Sequence, residues 1–187
     1  MNSGQSVLTI GAFVILSTMT LNVNTQLTDT GTTGLEMEAT LDAISIAQST
    51  LDEVLTKDFD QKTDDGTRAY SPNDLTQTGG FGPDATVEVI TGVDSSSHSI
   101  FQSETKFNDV DDYNNYFRKV WNTRFGWFDV TVKVDYANED NPNVAQTERT
   151  FYKRVTVRVN HPNLVKDNHN NVVPLVVQDL AVYRRYF

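Results

Sequence analysis

At 187 residues the chain has room for one domain and an appendage, and its net charge of −10, from 25 acidic against 15 basic residues, leaves no basic stripe for nucleic-acid phosphates. No cysteine is present, which excludes disulfides, thiolate metal centres and thiol catalysis, so stability has to come from burial or from assembly.

The most apolar stretch is near the start, Val7-Leu-Thr-Ile-Gly-Ala-Phe-Val-Ile-Leu-Ser-Thr-Met-Thr-Leu21, and no charged side chain precedes Asp29. A helix from Val7 to Val23 would be about 26 Å long, slightly short of a usual bilayer span. A cleaved signal peptide calls for a basic start and an Ala-x-Ala-like site, and neither is found. A permanent anchor usually has flanking Lys or Arg to orient it, also missing here. These absences weaken both and favour a third reading, a helix seated first in a membrane and then in the core of a polymer. Its contact residues are Val7, Leu8, Ile10, Phe13, Val14, Ile15, Leu16 and Leu21, and Thr9, Ser17, Thr18 and Thr20 are small enough for close helix approach.

Thr28-Asp-Thr-Gly-Thr-Thr-Gly34 disfavours helix, so residues 29–34, with Gly31 and Gly34, read as a hinge between residues 1–28 and a globular part, 35–187. From Leu35 to Phe59, Met37, Leu41, Ile44, Ala47, Leu51, Leu55 and Phe59 recur at helical spacing and predict an amphipathic helix. Residues 67–82 are loop-like, and Ala85–Thr91 reads as a short strand. Trp127–Tyr136, Phe151–Val159 and Leu175–Tyr183 alternate with period two. They predict an antiparallel sheet with the inward valines covered by the amphipathic helix. The fold class is therefore α+β: a long hydrophobic N-terminal helix, a break, an amphipathic helix, and a C-terminal antiparallel sheet packed on it.

No catalytic signature is found. Gly79-Gly-Phe-Gly82 has no following Lys-Ser or Lys-Thr, and Ser95-Ser-Ser97 beside His98 lacks a nucleophile elbow. His98, His161 and His169 are scattered in polar, turn-like contexts that read as surface. Asp109, Asp111 and Asp112 can offer oxygens to calcium, but EF-hand spacing fails, with Asn114 at the glycine position and Val120 at the final glutamate. The preferred reading is a solvated, turn-forming segment with no cofactor, and Asp58, Asp60, Asp64 and Asp65 read the same way as a separate cluster. The aromatics Tyr113, Tyr116, Phe117, Trp121, Phe125, Trp127 and Phe128 are expected in core and subunit contacts.

This order of elements resembles type IV pilins and the pseudopilins of type II secretion. Gly4-Gln5 before an apolar run looks like a prepilin start, in which a short leader ends in Gly. Ala43-Ile-Ser-Ile-Ala-Gln-Ser-Thr-Leu-Asp-Glu53 looks like the second half of the long pilin helix, and Phe107-Asn-Asp-Val-Asp-Asp-Tyr113 is similar to an acidic segment of some pilin-like proteins. Two features depart from the pattern: no basic residue precedes Gly4, and Thr9 stands at the fifth position from Gln5, where the family carries an acid. The resemblance implies a non-enzymatic structural subunit of an extracellular, cell-surface filament. Its partners would be identical subunits in a helical homopolymer, the inner membrane before assembly, and the pilus assembly machinery, with no nucleic acid. The alternatives are a secretion pseudopilin and a membrane-anchored surface-binding domain.

Overall fold

The computed structural model describes residues 3–84, 86–96 and 100–184. One helix, α1 (Ser3–Leu55), opens the chain. A short helix α2 (Gln102–Lys106) and the strands β1 (Asp94–Ser95), β2 (Phe117–Asn122), β3 (Gly126–Ala137), β4 (Ala145–Gln146), β5 (Tyr152–Asn160) and β6 (Leu175–Val182) follow. The chain divides into two compact units between Glu38 and Ala39.

In the first unit the expected break does not occur: α1 is helical through both Gly31 and Gly34. The threonines that argued against helix bond inside it instead. Thr28 Oγ1 donates to Asn24 O at 2.9 Å, Thr30 Oγ1 to Gln26 O at 2.8 Å, and Thr32 and Thr33 both to Asp29 O at 2.9 Å. Their hydroxyls are satisfied without leaving the helix. Each glycine costs about 1 kcal/mol relative to Ala, less than the unpaired backbone groups a break would leave at two new helix ends.

In the second unit the sheet runs β1-β2-β3-β5-β6, with β4 paired to β3. The three anticipated strands are present as β3, β5 and β6, joined antiparallel, and β2 adds a hairpin with β3. β1 pairs parallel with β2, so the sheet is mixed rather than purely antiparallel. Residues 86–88, expected within a strand, form a turn instead. The reason is local: Glu88 Oε2 accepts the Asp84 N–H at 3.0 Å and curls the segment on itself. Gly126, at φ +87°, closes the β2–β3 hairpin in a conformation that L side chains resist.

The β3–β5 register places Val130 opposite Val159, Val132 opposite Val157 and Val134 opposite Val155, all buried on one face. Ala39, Ala43, Ala47, Thr50, Leu51 and Val54 of α1 are buried, and the alanines join the same core as the valines. The predicted stripe holds in its later part, where Ala47 and Leu51 are buried and Leu55 and Phe59 pack against the core, but its first members Met37 and Leu41 are 65% and 66% exposed. Large residues dominated the periodicity, whereas small ones allow a helix to lie close on a pleated surface. Arg118 of β2 adds a polar joint, its guanidinium donating to Glu53 Oε2 and Thr50 Oγ1 and lying 4.1 Å over the Phe101 ring.

Candidate functional site

Two features stand out, one in each unit. The first is the surface of α1 before Glu38. Val7, Leu8, Ile10, Phe13, Val14, Ile15, Leu16 and Leu21 are all between 59% and 76% exposed. These are the sequence-predicted assembly residues, and within the first unit each is left mostly exposed. By length and composition α1 is able to cross a membrane, as the one such helix among the described residues. Thr9, Thr18 and Thr20 bond back to Gln5, Ile15 and Leu16 carbonyls at 2.8–2.9 Å, so these hydroxyls present no unsatisfied polarity to an apolar neighbour.

The second feature is an acidic centre in the globular unit. Its segments read as two solvated clusters in sequence, but they meet. Asp58 N donates to Asn108 O at 3.1 Å and Val110 N to Asp58 O at 2.9 Å, a parallel bridge that brings 58–64 beside 108–112. Asp60, Asp109, Asp111 and Asp112 are each 0–2% exposed, which corrects the solvated reading for all four. The cation paired with Asp60 and Asp111 is Lys153, fully buried, at the end of the inward row Lys153-Val155-Val157-Val159 on β5. Lys153 Nζ donates to Phe59 O at 2.7 Å, to Asp60 Oδ2 at 2.8 Å and to Asp111 Oδ1. The rings of Phe59, Phe81 and Tyr136 surround it at 4.6–5.5 Å.

The predicted triad is thereby divided among three tasks. Asp111 pairs with Lys153. Asp109 Oδ1 accepts the Asp111 and Asp112 N–H groups and shapes the turn over 111–113. Asp112 Oδ2 accepts the N–H groups of Asn108 and Asp109, at 3.0 and 3.3 Å. The remaining oxygens, Asp109 Oδ2, Asp111 Oδ2 and Asp112 Oδ1, are buried with no hydrogen-bond partner. Asp112 also meets Asp84 and Glu88, each contributing one oxygen, all within 4.8 Å of one another. Among the described residues this is the group whose carboxylates could hold a metal ion, and it shares only Asp112 with the sequence triad.

The electrostatics follow from few cations facing several acids: Lys153 beside Asp60, Asp109 and Asp111, and Lys57 near Asp112. Burial, reinforced by Asp111 and Asp112, pushes the Asp109 carboxyl up to about 8. Burial raises Asp111 to about 7 against the pull of Lys153. Burial also raises Asp112, and burial with the Glu88 and Asp112 charges lifts Asp84 to about 6. Asp60 goes the other way: burial opposes its charge, but the charge and hydrogen bond of Lys153, with bonds from Thr76 and Lys62, hold it below the usual carboxylate range.

The other candidates separate cleanly. His161 is buried rather than on the surface, stacked 4.3 Å from Phe128 with its Nε2 2.9 Å from Phe125 O, while His169 is exposed and His98 lies outside the described residues. Tyr113, Tyr116 and Phe128 are core residues; Trp121 and Trp127 are half exposed and in edge contact at 5.0 Å. Sequence reasoning missed Lys153, although its inward phase in a period-two strand was a usable signal. It also missed Asp84 and Glu88, for which no spacing rule exists. Comparison with protein-family models, curated proteins and solved structures gives no match.

Proposed function

We propose that this chain is the structural subunit of an extracellular pilus-like filament, held in a membrane before assembly and polymerised through the first unit of α1. The observation that carries this reading is the apolar surface of Val7–Leu27, whose large side chains are more than half exposed and which has no charged group before Asp29. Burying each such side chain is worth roughly 1.5–3 kcal/mol, so lipid or further copies must cover it. Covering by copies fits the small residues among the large ones, since Gly, Ser and Thr let helices approach closely. A head-to-tail contact whose rotation does not close gives a helical polymer. The subunit acts in this reading by packing, not by catalysis, and needs no cofactor to assemble. One of two variants tests it while leaving the membrane step undisturbed.

A Cβ built at Gly11 meets nothing within 4 Å in the single chain, so Gly11→Leu leaves the subunit and its lipid compatibility intact while filling the space a neighbouring helix would use. Phe13→Asp adds a charge that costs roughly 2.5–3.5 kcal/mol at a bilayer centre. The expected outcome is that both variants lose filaments while Gly11→Leu still reaches the membrane fraction. Normal filaments from both would overturn the proposal. Membrane-bound monomers from the wild type would favour the anchored surface-binding domain.

A further inference from the structure

We propose that Asp84, Glu88 and Asp112 form a calcium site that ties the 84–88 turn to the acidic turn at 109–113. The inference stands apart from the filament reading, since it concerns the globular unit alone. Three carboxylates from two separated segments each bring an oxygen to within 4.8 Å of the others. That span matches ligands placed around an ion at 2.3–2.6 Å, the calcium–oxygen distance. Crowded acids alone would not indicate a ligand. The independent observation is Asp112: the residue is 1% exposed, its Oδ2 is committed to two backbone N–H groups, and its Oδ1 has no hydrogen-bond partner. A buried carboxylate oxygen left without a donor is costly unless something compensates it.

Hydrogen bonds from neighbouring groups already hold Glu88 in position. Asn108 Nδ2 donates to Glu88 Oε1 at 3.2 Å and to Asp64 Oδ2 at 3.0 Å, and the Asp84 N–H donates to Glu88 Oε2. These bonds orient Glu88, as outer partners do for metal-bound carboxylates. The donor set is all oxygen, with no histidine or cysteine, which selects a hard cation over zinc or copper. Asp84 is exposed, so the site opens to solvent and an ion has a path in. Backbone carbonyls and water would complete the six to eight ligands calcium takes.

The test uses the full chain in detergent micelles, with calcium chloride as the probe against EDTA. Thermal unfolding followed by near-ultraviolet circular dichroism should show Tm rising by about 3–6 °C at a calcium concentration ten times Kd. Isothermal calorimetry should give one site, in the roughly 0.1–1 mM range of extracellular modules. Asp84→Asn, a change at an exposed position, and Glu88→Gln should each weaken binding at least tenfold. No shift and no heat at 10-fold above that range would overturn the proposal. So would a shift that persists undiminished in both variants, because the ion would then sit elsewhere.

Discussion

Lys153 shows how one side chain can organise a site. Period-two alternation on β5 carries it inward with Val155, Val157 and Val159, where an unpaired charge would be prohibitive. Asp60 and Asp111 supply the compensation, and the loops bearing them are pinned to the sheet as a result. Lys153→Met should destabilise the globular unit by about 3–5 kcal/mol in denaturant titrations, since it strands two buried carboxylates. The triple change Lys153→Met, Asp60→Asn, Asp111→Asn should recover a large part of that loss, because no lone charge remains. Asp60 also predicts a pH dependence. Its folded pKa lies below the ordinary 3.8, so its contribution is present above that value and lost as pH falls through the folded pKa. Unfolding midpoints between pH 5 and pH 2.5 should therefore fall more steeply in the wild type than in Asp60→Asn. At this scale the sequence was a partial guide. It marked both acidic clusters and judged them solvated, which holds for Asp58, Asp64 and Asp65 but not for Asp60 and Asp111, whose cation lies 93 and 42 residues further along the chain.

Among the elements, α1 carries both the clearest sequence signal and the largest corrections. Its apolar run was legible because no charge interrupts it. Its continuity was not, because threonine's poor helix propensity describes an average residue, whereas here each hydroxyl finds a carbonyl one turn back. If the helix works without a hinge, Gly31→Ala and Gly34→Ala should each stabilise it by about 0.5–1 kcal/mol and leave assembly intact. Loss of filaments in either would show that flexibility there matters. The start of the covering face was misjudged for a related reason: Ala39 and Ala43 give a weak hydrophobic signal yet lie in the core, while Ala47, Leu51, Leu55 and Phe59 were placed on the right face. Ala43→Leu should cost about 1–3 kcal/mol by overpacking, whereas Leu41→Ala, at an exposed site, should cost little; thermal melts would separate them. The long strands were legible because β-branched alternation is a strong signal over eight or more residues. The β1–β2 pairing spans two residues and could not be.

The whole molecule unites an uncovered apolar helix with a globular unit whose core is closed by its own helix segment and sheet. That division assigns different tasks to the two parts of one chain. The first unit supplies the surface that has to be buried by something else, and the second supplies an acidic exterior suited to water. The most direct measurement is electron cryomicroscopy of material sheared from cells that make this protein. The account predicts uniform filaments in which the Val7–Leu27 helices lie at the axis, packed against copies of themselves, with the sheet domains outside. A map with the globular units at the axis and these helices at the surface, or no filament with the protein confined to membranes as a monomer, would contradict it.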